Sequence, residues 1–232
     1  MKIGIWNIDH PETQSRSKRK ELRFSGVARY LAAADCDLLI ITEANAALRL
    51  PGYYSQFSAP SPFIAKSRFY ENPNVYHQVG IYSKLPIQAK NIAEPINGLL
   101  CEIKGGGKLK QVYGNVITIK DQWSKTSTKT YTDRLDEQIQ AIRNLPPHGT
   151  LVGGDFNLRL GWKQKRPAHR RFQEELNDSN WAWPTEQRDD SVQHVLHTKE
   201  FTAKLSIDFD VKYQKGNNSG LSDHPFFGLE LD

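Results

Sequence analysis

The feature that most constrains this chain is Leu151-Val152-Gly153-Gly154-Asp155-Phe156-Asn157, a short apolar, β-branched approach followed by two glycines, an acid and an amide. The approach reads as a buried strand and the glycine pair permits a tight turn. Upstream, Leu135, Ile139 and Ile142 share one helical stripe that starts near Asp133, an acceptable N-cap, and stops before Pro146-Pro147. Helix, strand and polar strand end, in that order, form the unit of a layered α/β protein, whose functional groups gather where strands stop. Asp155 and Asn157 have the same side-chain parity, so a strand running through both turns them to one side. The alternative is turn chemistry alone, for which Asp and Asn are preferred residues.

The same arrangement recurs along the chain. Residues 2–7 alternate into a strand that ends on Asn7, and the apolar run 37–42, of the kind buried on both faces, is closed by Glu43. Residues 78–83 read as a strand, and residues 99–103 and 109–119 as a hairpin across Gly105-Gly106-Gly107. Residues 205–211 form a strand with Asp208 and Asp210 on one parity, and Ser222-Asp223-His224-Pro225 leads into a last strand, 226–231. Helices are expected over 17–34, with Leu22, Val27, Tyr30, Leu31 and Ala34 inward, and from Pro167 onward with Phe172 and Leu176. His194 and His197 fall on opposite faces of a strand and form no metal pair.

A chain of 232 residues suits one domain, 1–232, with no repeat, linker or low-complexity segment to divide it. Its net charge of +5 favours an anionic partner. Two cysteines, Cys36 and Cys101, support neither a disulfide framework nor a cysteine zinc site. No apolar run approaches the roughly 20 residues of a membrane helix, so a cytoplasmic protein is expected. The densest basic run follows Asn157 directly: Arg159, Trp162, Lys163, Lys165, Arg166 and Arg170. It is placed to hold phosphates beside Asp155, the alternative being a solvated helix face. The basic residues of the first helix, Arg23 and Arg29 among them, read as a solvated face.

In order and spacing, Trp6-Asn7, Thr42-Glu43, Gly154-Asp155-Phe156-Asn157 and Ser222-Asp223-His224 resemble the endonuclease/exonuclease/phosphatase superfamily over nearly the whole chain. The resemblance implies a four-layer α/β/β/α sandwich, two mixed β-sheets flanked by helices, with the site at one end of the sheets. It also implies Mg²⁺, or Mn²⁺ in its place, held by Glu43 with Asn7 and Asp223 near it. Asp155 is then the base that polarises an attacking water, and Asn157 positions water or phosphate. His224 donates to a non-bridging phosphate oxygen, with Asp208 holding it. Two departures stand out. Where many members carry a second His or a Tyr, this chain has Ile117-Thr118-Ile119-Lys120, so either Lys120 takes over the phosphate contact or that contact is missing. Around Asp208 it reads Ile-Asp-Phe-Asp in place of Ile-Asp-His and an aliphatic residue, leaving Asp210 without a role.

The activity implied is a metal-dependent phosphoesterase, and the many cationic residues favour a nuclease acting on DNA ahead of RNA. The alternatives are a phosphomonoesterase or phospholipase-type diesterase of the same fold, and a catalytically weak nucleic-acid-binding domain.

Overall fold

The computed structural model describes residues 1–11, 18–60, 75–91, 97–118, 130–158, 167–177, 180–186, 188, 191–211 and 220–232. In chain order these give β1 (Lys2–Asn7), α1 (Lys18–Ala34), β2 (Leu38–Asn45), β3 (Tyr54–Phe57), β4 (Tyr76–Ser83), β5 (Ile87–Lys90), β6 (Gly98–Ile103) and β7 (Gln111–Val116). There follow α2 (Tyr131–Arg143), β8 (Thr150–Asp155), α3 (Pro167–Asn177), β9 (Trp181–Ala182), β10 (Gln193–Thr198), β11 (Ala203–Asp208) and β12 (Phe226–Leu231).

Two six-stranded sheets result, ordered β11-β12-β1-β2-β4-β3 and β5-β6-β7-β8-β10-β9. Both are mixed: β1 runs parallel to β2 and β7 parallel to β8, and the remaining pairs are antiparallel. Ile3, Ile5, Leu38, Ile40 and Val79 of the first sheet pack on Val112, Leu151 and Val195 of the second. Alternate residues of the same strands face outward. Leu39 and Ile41 meet Val27 and Leu31 of α1, while Val152 and Leu196 meet Leu135, Ile139 and Phe172 of α2 and α3. This is the α/β/β/α sandwich, and it explains why β2 opens on a continuous apolar run, Leu38 to Ile41. Each fully buried aliphatic side chain contributes roughly 1.5–3 kcal/mol.

Several local expectations change. Gly153 and Gly154 do not turn the chain; they lie inside β8, where space is short. A Cβ on Gly153 meets Ile5 and Ile40 at 2.8 and 2.9 Å, and one on Gly154 lies 2.0 Å from the Asn115 carbonyl. α2 is capped by Thr130. Asp133 instead closes a capping box, its carboxylate accepting the Thr130 N–H at 2.6 Å. Leu22 of α1 faces solvent, because the buried stripe is set by Val27 and Leu31. β7 stops at Val116 and β11 at Asp208, where the Asp210 N–H turns back to the Asp208 carboxylate at 2.8 Å, which gives Asp210 a backbone role. Among the described residues no helix is long and apolar enough to cross a membrane.

Candidate active site

β1, β2 and β8 end at one edge of the sandwich, and the antiparallel β10 and β12 begin there, so Asn7, Glu43, Asp155 and His224 are delivered to a common mouth. The backbone is strained at that mouth. Five described residues other than glycine have positive φ, and four of them lie here: Asp9 (50°), His10 (40°), Glu43 (50°) and Asn157 (51°). Such conformations cost of order 1 kcal/mol or more each, and concentrate where function fixes the chain.

Asp155 is the centre. It is buried at the inner face of its sheet, where the strand pattern otherwise places aliphatic residues. Its Oδ2 accepts the Asn7 Nδ2–H at 2.9 Å and lies 3.9 Å from His224 Nε2, while Oδ1 accepts the Asn157 N–H at 2.9 Å. Burial pushes its carboxyl above the usual carboxylate range, against the opposing pull of His224 and these hydrogen bonds. Asp155 and Asn157 do not share a strand face, since β8 ends between them. They form an Asx-turn instead, as the turn reading expects. The Asn157 amide donates to the Ile117 carbonyl at 2.8 Å, and its Oδ1 takes no hydrogen bond among the described residues.

Glu43 faces Asp155 across Asn7, whose Nδ2 reaches Glu43 Oε1 at 3.2 Å. Burial, then the carboxylates of Asp9, Asp155 and Asp223, push Glu43 up to about 8. Asp223 is the exposed member and sets Oδ1 3.4 Å from His224 Nε2. His10 approaches Glu43 Oε2 at 4.0 Å, but burial holds its imidazole down to about 3, so the two are not an ion pair near neutrality. Among the described residues, no three His, Cys, Asp or Glu side chains are grouped tightly enough to hold a metal ion alone.

A rigid frame surrounds these groups. Arg23, expected on a solvated helix face, is largely buried and donates to the carbonyls of Ile8, Asp9 and Leu221, with Asp9 Oδ2 at 3.1 Å. It ties the loop after β1 to the loop before Asp223. Ser222 Oγ donates to the Asn7 carbonyl at 2.5 Å and accepts the His224 N–H at 3.1 Å, and Trp6 Nε1 donates to the His224 carbonyl at 3.0 Å. Gln193, wholly buried, accepts the Asn7 N–H at 2.6 Å and donates to the Pro225 carbonyl at 2.7 Å.

Asp208 is not brought to His224. It lies on the α1 side of its sheet, where the Tyr30 hydroxyl donates to its carboxylate at 2.5 Å, and no hydrogen bond or ion pair joins it to His224. Lys120, Arg159, Trp162, Lys163, Lys165 and Arg166 lie outside the described residues, and Arg170 is exposed on α3. His194 and His197 are packing residues: His194 contacts the Leu158 carbonyl and Thr185, and His197 the Thr198 carbonyl.

Sequence reasoning missed Asp9, His10 and Gln193 and misread Arg23. Asp9 carried a readable signal, an acid two residues beyond Asn7 with the spacing of Asp155 and Asn157. Gln193 carried a fainter one. Val192-Gln193-His194-Val195 has the aliphatic-acid-His-aliphatic order sought around Asp208, with an amide in place of the acid.

No curated protein sequence matches this chain. Solved structures match over their length. An AP endonuclease from Archaeoglobus fulgidus superposes with a TM-score of 0.67 at 14% identity, over 100% of this chain and 99% of that one. A 3'-5' exonuclease from Neisseria meningitidis gives 0.63 at 15% identity, over 100% of both chains. A mannosyl-6-phosphatase from Bacteroides thetaiotaomicron gives 0.59 at 12% identity, over 100% and 99%. At these identities the likeness is one of fold. The sequence profile of the Endonuclease/Exonuclease/phosphatase family matches residues 4–224, from β1 through His224. With that span covering every group at the mouth of the sandwich, the chain belongs to the endonuclease/exonuclease/phosphatase family.

Proposed function

We propose that this chain is a divalent-cation-dependent phosphodiesterase, a nuclease hydrolysing DNA or RNA by in-line attack of an activated water. The observation that carries the reading is Asp155: a buried carboxylate of raised proton affinity, hydrogen-bonded by Asn7 and Asn157 and 3.9 Å from His224. A base poised nearer neutrality than a surface aspartate is suited to take a proton from water. The Oδ1 of Asn157, which takes no hydrogen bond among the described residues, is suited to orient that water toward phosphorus. His224, as imidazolium, donates to a non-bridging oxygen where charge develops.

The donor set fits a hard cation. Glu43, Asp223 and Asp9 would supply carboxylate oxygens to it, and Asn7 Oδ1, which accepts the Asp9 N–H at 2.9 Å, keeps a lone pair. The crowding that raises Glu43 is relieved by positive charge at the same place. Mg²⁺ takes few carboxylates and keeps its waters, which suits a site without a closed protein cage. Bound there, the cation neutralises charge on the phosphoryl oxygens. Nucleic acid is favoured as substrate by the net charge of +5 and by the fold shared with an AP endonuclease and a 3'-5' exonuclease.

The test is cleavage of supercoiled plasmid and of a labelled RNA by the wild type and by His224→Ala, with Mg²⁺ or EDTA, at physiological salt. Metal-dependent cleavage that falls at least a hundredfold in the variant supports the reading. A folded wild type that cleaves neither polymer but releases phosphate from a sugar phosphate assigns the chain to phosphomonoesters instead.

A further inference from the structure

We propose that Gln193 is a positioning residue that holds the two halves of the site in register, a role that rests on the phosphodiesterase reading above. Gln193 belongs to the sheet of Asp155: it opens β10, and its Cα pairs with that of Asp155 across the β8–β10 ladder. Both of its amide contacts are made to the other sheet. Oε1 accepts the backbone N–H of Asn7 at 2.6 Å, and Nε2 donates to the backbone carbonyl of Pro225 at 2.7 Å. Asn7 carries the amide that meets Asp155, and Pro225 follows His224 directly. The Asn7 and His224 side chains, which approach Asp155 from the other sheet, are therefore each held on or beside a backbone group fixed by one buried amide.

The chemistry requires an amide there. Asn7 offers a donor and Pro225 an acceptor, so the group between them must accept at one end and donate at the other. An ionised carboxylate lacks the donor, and an apolar side chain leaves two buried backbone groups alone, which costs far more than a hydrogen bond contributes. Gln193 is wholly buried, its backbone N–H is occupied by Ser191 Oγ at 3.0 Å, and its amide has no route to the substrate. It acts through Asn7 and His224. A misplacement of about 1 Å between reacting groups costs on the order of a hundredfold in rate, which sets the scale of the effect.

The experiment compares wild type, Gln193→Met and Val195→Ala under Mg²⁺, on a duplex or single-stranded oligonucleotide that the wild type cleaves, well below the melting temperature of each. Val195 is buried on the same strand and the same face but touches none of the hydrogen bonds, so it reports what lost packing alone does. Gln193→Met lowers kcat by ten- to a hundredfold with KM within about threefold, while Val195→Ala keeps kcat within about twofold. Amide hydrogen exchange gives a second readout: at Asn7 it quickens at least tenfold in Gln193→Met, with Ile5 on the same strand unchanged. Should Gln193→Met not fold, Gln193→Ala, which leaves room for water between Asn7 and Pro225, shows the same loss of kcat. Full kcat in a folded Gln193 variant overturns the proposal while leaving the phosphodiesterase intact, as does a parallel loss in Val195→Ala. A wild type with no turnover on either nucleic acid overturns the phosphodiesterase reading and this role with it.

Discussion

Asn7 Nδ2 lies 2.9 Å from Asp155 Oδ2, a side-chain hydrogen bond between the last residue of β1 in one sheet and the last residue of β8 in the other. The same nitrogen reaches Glu43 at 3.2 Å, so one neutral amide separates two carboxylates that repel each other. Asn7→Ala lowers kcat by roughly a hundredfold. Asn7→Asp adds a third negative charge and is worse still near neutral pH, as side-by-side kinetics on one substrate will register.

Asp155 Oδ2 and His224 Nε2 lie 3.9 Å apart, close enough for the effects of removing them to be coupled and not to add. Asp155→Asn and His224→Ala each cost a hundredfold or more, and the double variant costs much less than the product of the two. Single-turnover rates with saturating enzyme give the comparison directly.

Glu43 makes the cation-free protein pH-sensitive. Its proton affinity is raised on folding from an ordinary 4.5 to about 8, so the folded state favours the protonated form. Its stabilising contribution is complete below about 4.5 and is lost as pH rises through about 8. The melting temperature in EDTA falls across that window, and Glu43→Gln flattens the fall. Mg²⁺ restores stability to the wild type by mass action, more at the alkaline end than at the acid end, and does so weakly in Glu43→Gln.

Tyr30 and Asp208 test what the α1 face contributes. The 2.5 Å hydroxyl contact is packed among Trp6 and Phe226, with ring centroids 5.1 and 5.3 Å from Tyr30. Tyr30→Phe leaves the Asp208 carboxylate without that donor, destabilises the fold by about 1–3 kcal/mol and changes kcat only a few-fold. Denaturant unfolding and kinetics on the same preparation separate the two effects.

The glycine pair of β8 differs in what surrounds it. A methyl on Gly153 meets the ends of Ile5 and Ile40, which can rotate, whereas one on Gly154 meets backbone at 2.0 Å. Gly153→Ala destabilises by about 1–3 kcal/mol. Gly154→Ala costs clearly more, which the urea midpoints of the two variants will rank.

The sequence disclosed the residues that stand at strand ends, because a strand's apolar pattern stops abruptly and a polar residue marks the place. Asn7 and Asp155 close their strands, and Glu43 and His224 lie within two residues of a strand terminus, and they were legible for that reason. Gln193 was hidden because its motif carries an amide where an acid was sought; its meaning lies in Asn7 and Pro225, far away in sequence. Arg23 was obscured by its neighbours, since a cation inside a basic run looks solvated until the fold shows three carbonyls around it. Asp208 was misleading for the opposite reason: a strand does carry it, but β11 ends there and its parity turns the carboxylate toward Tyr30. Thr130 and Asp133 differ by a single turn of reading, both belonging to the same capping box.

The strand order carries one more consequence. Every strand of the Asp155 sheet, β5 to β10, comes from one uninterrupted passage, residues 87–198, while the sheet of Glu43 and His224 is assembled from the stretches on either side. Asp155 and the groups that face it are thus written in separate paragraphs of the chain, the inner one enclosed by the outer. Changes in length at the outer turns of the inner passage alter the Asp155 wall of the mouth without rewriting the wall that carries Glu43 and His224.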